Sequence, residues 1–269
     1  MMMSFKEKYG AWALITGGTS GIGEAIANQV AAKGLNIILV ARRLHLLEEK
    51  AKEIEDTHGV LVKIVQADLS KHDDISKVIQ ASTHLEVGLF VPCAAVETHG
   101  LTTKIPLEKE LALIQLNITS VFVLTHHFAG KMVNRGTGGV LLVSSIIGHM
   151  PNPYLSNYAG SKAYILNFGS SLHWEMKKRG VDITVLSPGP TETPMMDNTN
   201  IDMNKMPMAF QKPELVANYG VEALGKKAVV IPGFKNNMMV FMASRVVSTS
   251  SAIKMGGEMM EKVLDPKYL

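Results

Sequence analysis

The sequence predicts an α/β fold: a doubly wound parallel sheet of seven strands flanked by helices, in a single domain over residues 1–269. Short apolar, β-branched runs alternate with longer segments of helical periodicity. The strand runs are nearly continuously apolar, as strands covered on both faces are. No Gly/Ser/Pro tract or internal repeat interrupts the chain, so no linker is expected.

The elements follow in order. Residues 11–16 form a short strand that stops at Gly17, and 24–33 a helix closed by Gly34. Residues 35–41 (LNIILVA) read as a buried strand, 44–58 as a helix charged on one face, and 60–67 as the third strand. A helix over 73–83 leads to a strand over 87–91 that stops at Pro92. One long helix is predicted over 106–135, with Gly136, Gly138 and Gly139 at its end. A strand over 139–144 precedes a second long helix, 154–179, closed by Gly180. Strand 181–186, helix 213–225 and a last strand over 228–231 complete the sheet. Residues 188–213 are loop-rich, and 235–269 form a C-terminal helical extension.

Composition narrows the function classes. Net charge is +3 and no Lys/Arg-dense stripe appears, which argues against nucleic acid. The single cysteine, Cys93, excludes an intrachain disulfide or a thiolate cluster. Residues 1–10 carry charge and no apolar core, so no signal peptide is expected there. No apolar run reaches membrane-spanning length; 238–247 is short and contains Arg245. A soluble, cytoplasmic protein is the expectation. Methionine is abundant at 17 residues. Met195, Met196, Met203, Met206 and Met208 crowd one stretch, and six more lie between Met238 and Met260. Such flexible side chains suit either an adaptable apolar surface or a permissive core.

Gly17-Gly18-Thr19-Ser20-Gly21-Ile22-Gly23 follows the first strand and opens the first helix. Glycines there permit a tight turn and close backbone approach to a pyrophosphate, and the helix N-terminus attracts an anion. A Gly-rich stretch is also what an ordinary strand-to-helix turn looks like; its position between strand and helix favours the dinucleotide reading. The second strand ends at Ala41, followed by Arg42 and Arg43 rather than the acidic residue that would take a ribose 2′-hydroxyl. Arginine suits a 2′-phosphate by charge and fork geometry, so NADP(H) is predicted over NAD. Ser20 could add a hydroxyl donor. The alternative is a solvated arginine pair.

Tyr158 and Lys162 sit four apart near the start of a helix and share one face. Ser145 ends a buried strand, at the edge where open sheets bind ligands. A nearby ammonium favours the phenolate, so Lys162 is expected to lower the Tyr158 pKa and ready it for proton transfer. Ser145 can hydrogen-bond and polarise a substrate carbonyl. Singly, each is also an ordinary helix or strand-end residue.

Together these stretches resemble the short-chain dehydrogenase/reductase family, with its Rossmann-type fold, over nearly the whole chain. The resemblance is carried by 16–23 (TGGTSGIG), Asp68-Leu69, Asn117, Ser144-Ser145, Tyr158-Ala-Gly-Ser-Lys162 and 187–193 (SPGPTET). It implies that Asn117 holds a water near Lys162 in a proton relay, and that Tyr158 and Lys162 meet the nicotinamide ribose. Asp68 and Leu69 would meet the adenine. Ala94 would lie along the cofactor, and Pro188, Gly189, Thr191 and Thr193 would receive the nicotinamide carboxamide. The catalytic set so implied is Asn117, Ser145, Tyr158 and Lys162. The long helices 106–135 and 154–179 would form a homodimer or homotetramer, and 188–213 would lie over an apolar ketone, aldehyde or acyl substrate. One stretch departs: Pro92-Cys93-Ala94-Ala95 stands where the family has Asn-Asn-Ala-Gly. Pro92 lacks an N–H and Ala95 replaces a glycine, which bears on cofactor fit. Cys93 reads as a buried inert thiol.

A rival reading is a dinucleotide-binding sensor or scaffold that keeps the fold without catalysis. Its support is the altered fourth strand; the intact four-residue set opposes it. No metal is expected, because His126 and His127 point to different sides of one helix. Asn117-Ile118-Thr119 is discarded as a glycosylation sequon because it lies in an apolar helix. His149 reads as a loop histidine near the substrate mouth.

Overall fold

A computed structural model describes residues 3–196, 201–202, 205 and 209–269. Met203, Met206 and Met208 of the methionine-rich stretch lie outside the described residues. The chain opens with α1 (Phe5–Tyr9), β1 (Trp12–Thr16), α2 (Gly21–Ala32), β2 (Asn36–Ala41) and α3 (Leu44–His58). It continues through β3 (Val62–Gln66), α4 (His72–Ala81), β4 (Val87–Pro92), α5 (Leu107–Ile114) and α6 (Val121–Arg135). Then come β5 (Gly138–Val143), α7 (Ser156–Lys177), β6 (Val181–Leu186), α8 (Pro213–Ala223), β7 (Val229–Val230), α9 (Phe234–Phe241) and α10 (Thr249–Val263).

The seven strands are all parallel and lie in the order β3-β2-β1-β4-β5-β6-β7. The chain winds outward from β1 to β3, then returns to place β4 on the other side of β1. That reversal opens a crevice at the C-terminal ends of β1 and β4. Two apolar cores fill the layers: α2, α3 and α8 pack on one face, and α4, α6 and α7 on the other. Strands buried on both faces need apolar side chains at successive positions, which is why β2 and β5 carry no alternation. A third cluster joins Tyr158 and Leu155 to Met260, Val263 and Leu264, so the C-terminal helix closes over the site end of the sheet.

Three elements differ from the sequence reading. Helix α1 was not foreseen; Ser4 caps it reciprocally with Glu7, and the Tyr9 hydroxyl donates to Asp182 at 2.7 Å. The helix predicted over 106–135 is interrupted by a π-helical turn at Gln115–Ser120. The C-terminal extension is two helices, α10 starting afresh where the Ser248 hydroxyl accepts from the Ser251 N–H.

One expectation is corrected. The continuous helix Leu107–Arg135, with mean hydropathy 1.4 in its most apolar window, is long and apolar enough to cross a membrane by length and composition. Uncharged polar residues, Gln115, Asn117, Thr119, Ser120, Thr125, His126 and His127, break up its apolar run, which is why the sequence hid it. Its Leu116, Val121, Leu124, Phe128 and Met132 are buried against the sheet, the environment of a core helix.

Candidate active site

All parallel strands end at one edge, and there a cavity of about 620 Å3 opens. Its first half grows from the β1–α2 turn. Thr16 is buried, and its hydroxyl accepts from the N–H groups of Cys93 and Ala94, both at 3.1 Å. This tie holds the exit of β4 against β1, although Pro92 has no N–H to offer the ladder. Gly17 has φ +68°, and a Cβ there would stand 2.8 Å from the Ala94 Cα. Gly21 has φ +56°, and a Cβ would stand 2.7 Å from Thr193 Cγ2. Both positions need glycine for conformation and for space. Gly17, Thr19, Ser20, Gly21, Ile22 and Gly23 all line the cavity. Ser20 occupies the N-cap of α2 without capping it through its side chain, which leaves the first helical turn able to receive an anion.

Arg42 and Arg43 follow β2, exposed at the rim of the same cavity, and Asp68 and Leu69 follow β3. Burial pushes the Asp68 carboxyl up. The Ser70 hydroxyl and N–H, together with the charge of Arg42, outweigh that and hold it below the usual range. Ala94 and Ala95 complete this half. A cradle bounded by backbone that admits no Cβ, a helix N-terminus and two guanidinium groups fits the phosphates of a dinucleotide.

The second half carries the reactive side chains. Ser145 follows β5; its hydroxyl accepts from the Ile147 N–H at 3.3 Å and lies 3.4 Å from the Pro188 carbonyl. Tyr158 and Lys162 lie on the first two turns of α7, both buried. The Ser144 hydroxyl donates to the Lys162 carbonyl at 2.7 Å, pinning α7 to the end of β5. The Lys162 ammonium donates to the Val143 carbonyl at 3.1 Å and lies 5.6 Å from the Tyr158 ring centre. Ser145, Tyr158, Lys162, Pro188, Gly189, Thr191 and Thr193 all face the cavity. The structure thus brings together every predicted site residue except Asn117.

Asn117 stands behind the wall, 2% exposed, in the π-helical turn. Its amide accepts from the Val96 N–H at 3.0 Å, donates to the Val96 carbonyl at 2.8 Å, and donates to the Ser161 hydroxyl at 3.1 Å. It therefore acts on the site by holding the β4 exit against α7. His149 also turns away, its Nε2 3.2 Å from the Ser187 hydroxyl, and burial lowers its pKa.

The electrostatics correct a second expectation. The Tyr158 phenol is pushed up, not down. Burial is the main cause and the nearby Glu97 carboxylate adds to it, against a smaller opposing effect of Ser145. Burial likewise lowers the Lys162 ammonium to about 8. The phenol is therefore held protonated in this structure. Burial raises the Cys93 thiol to about 11, the behaviour of an inert cysteine.

Several lining residues escaped the sequence reading. Glu97 and His99 follow the β4 exit; a charged residue just past a buried strand was their available signal. Met239, Met242, Met255, Met259 and Met260 join Met195 and Met196 on the cavity wall.

Comparison with known proteins follows the same lines. The family profile described as short chain dehydrogenase matches residues 11–204. A 7beta-hydroxysteroid dehydrogenase of Clostridium sardiniense is 33% identical over 234 residues, spanning 87% of this chain and 90% of that protein. A structure solved for insight into 7beta-hydroxysteroid dehydrogenase stereoselectivity superposes with TM-score 0.88 at 31% identity, covering 95% of this chain and 100% of that one. A short-chain dehydrogenase from Sphingobium yanoikuyae in complex with NADPH superposes with TM-score 0.78 at 26% identity, covering 88% and 96%.

Proposed function

The chain belongs to the short-chain dehydrogenase family, oxidoreductases of the hydroxyl–carbonyl pair that use a nicotinamide dinucleotide; from that premise we propose that it prefers NADP(H) and acts on an apolar ketone, aldehyde or acyl substrate. The observation that carries the reading is one cavity holding Ser145, Tyr158 and Lys162 in a methionine-rich wall, with Arg42 and Arg43 at its other end. NADPH complexation in a structural relative and the hydroxysteroid dehydrogenase names of others support cofactor and substrate class.

When bound, NADP(H) supplies or accepts the hydride. The residues of this chain do the rest. The β1–α2 turn and α2 take the phosphates, and Arg42 and Arg43 take the 2′-phosphate. Lys162 holds the ribose. Ser145 and the Tyr158 hydroxyl hold the substrate oxygen. Tyr158, kept protonated by burial and by Glu97, gives its proton to that oxygen as the carbonyl is reduced, and takes it back in oxidation. Asn117 is a positioning residue. The side chains of Met195, Met196, Met239, Met242, Met255, Met259 and Met260 exclude water and favour apolar substrate.

Tyr158→Phe removes the proton and keeps the ring. Turnover of a carbonyl panel with NADPH is expected to fall at least about 100-fold, with NADPH affinity, read by fluorescence titration, changed little. Full activity in this variant would refute the assignment. The sensor reading predicts no turnover in the wild type, so the same panel separates the two. The reading extends to a cytoplasmic homodimer or homotetramer joined through α5–α7.

A further inference from the structure

We propose that Glu97 selects the substrate: its carboxylate accepts a hydrogen bond from a hydroxyl carried by the substrate beside the reacting carbonyl. The inference rests on the carbonyl–hydroxyl reading of the same cavity.

Glu97 lies in the loop after β4, and its direction is set from behind. Val96 is gripped at both N–H and carbonyl by the buried Asn117 amide, so the next residue is delivered to the cavity wall with little freedom. Oε1 of Glu97 is fully buried yet makes no hydrogen bond among the described residues. His99 Nε2 lies 3.3 Å away, within ion-pair reach but without hydrogen-bond alignment. Glu97 lines the cavity with 13% of its side chain still exposed, and a largely buried carboxylate with so few bonds points to a partner that arrives with the ligand.

The surroundings say which partner. The neighbouring wall is apolar: Ile147, Leu155, Ile201 and Met260 line the same cavity. A carboxylate accepts only, so it rewards a donor and repels an anion. It lines the same cavity as Ser145, Tyr158 and Lys162, and the preceding Val96 packs against the apolar cluster that holds Tyr158. Among apolar ketones, one with a hydroxyl near the carbonyl satisfies Glu97. An unsubstituted one leaves the carboxylate with only the misaligned His99 beside it and no hydrogen-bond donor, and is selected against for that reason.

The test uses unsubstituted decalone and a set of decalones with one hydroxyl at each ring position in turn. kcat/KM with NADPH is measured for wild type, Glu97→Met and Glu97→Gln, alongside the NADPH Kd of each. In the wild type, at least one hydroxylated ketone is expected to exceed decalone by about 10- to 100-fold. Glu97→Met should bring that ratio close to one. Glu97→Gln, which keeps an acceptor oxygen without the charge, should fall between. If the methionine variant does not fold, the glutamine variant decides alone, and a ratio equal to wild type overturns the proposal. It is also overturned by a wild type that reduces all the ketones equally, which leaves the carbonyl-reductase reading standing. An NADPH Kd that rises by the same factor as the ratio falls would move Glu97 to the cofactor and overturn it too. A wild type that reduces no ketone sinks the broader reading and this one with it.

Discussion

At the scale of single residues, Lys162 carries a pH signature. Burial brings its ammonium to about 8, against an ordinary 10.5. Below pH 8 the folded and unfolded chains both hold the proton, and burying the charge costs on the order of 3 kcal/mol. Between pH 8 and about 10 the folded chain has released it while the unfolded chain has not. The unfolded state then binds more protons, so stability rises with pH across that window. From about pH 9 the raised Cys93 thiol opposes this contribution, and above about pH 10 the raised Tyr158 phenol does too, since each keeps a proton that the unfolded chain loses. Urea melts of cofactor-free protein at pH 7.5, 8.2 and 9 should show the rise, and Lys162→Met should lack it. A wild-type profile as flat as the variant's would contradict the lowered lysine. Tyr158, Lys162, Ser145 and the glycine turn were legible because each sits where a helical face or a strand end constrains it. The direction of the Tyr158 shift was not, because its main cause, burial of the phenol, and the lesser one, a Glu97 lying 61 positions away in sequence, are both set only by the fold. Glu97 itself follows no period, and its one mark in the sequence is its place just past a buried strand.

At the scale of elements, the π-helical turn between α5 and α6 shows what periodicity cannot resolve. One widened turn leaves the apolar pattern of 106–135 almost unchanged, yet it places Asn117 between the β4 exit and α7. Its buried amide satisfies both backbone groups of Val96. Asn117→Ala would leave those groups unpaired, at about 1–3 kcal/mol. For a chain of this size the melting temperature should drop by roughly 2–10 °C, and kcat should fall more than cofactor affinity, because the variant loosens the wall beside Tyr158. Scanning calorimetry with steady-state kinetics checks both; an unchanged melting temperature would show that the clamp bears no strain. The strands were legible to within a few residues because near-continuous apolar runs bounded by glycine and charge admit few other readings. Helix α1 was missed although the Ser4–Glu7 capping pair was visible, since five residues carry too little period to register.

At the scale of the molecule, exposed apolar side chains lie on the long helices as well as on the C-terminal segment from Phe234 to Met255. Trp174 is 73% exposed, and Leu107, Leu111 and Phe122 are exposed as well. The homo-oligomer reading covers this surface with a second subunit. Trp174→Glu should then shift the mass measured by light scattering toward the monomer at micromolar concentration. An unchanged mass would move the interface elsewhere. The doubly wound architecture was legible because its parallel strands carry the pattern themselves.

The whole fold also reports on its cofactor. The dinucleotide cradle spans the β1–α2 turn, the ends of β2 and β3, and the exit of β4, so binding ties elements from both sides of the β1–β4 crevice. A ligand that binds only the folded state raises global stability by mass action, about 2.7 kcal/mol at one hundred times its Kd. For a protein of this size that is roughly 5–10 °C. NADPH should therefore raise the melting temperature more than NADH at equal concentration, since only NADPH offers Arg42 and Arg43 a 2′-phosphate. Arg42→Ala removes a guanidinium contact expected to contribute about 1.5–3 kcal/mol. In that variant the NADPH shift should shrink by about 3 °C or more while the NADH shift stays the same. Equal shifts for the two cofactors in the wild type would mean that the arginines are only a solvated pair, and the preference for the phosphorylated cofactor would have to be abandoned.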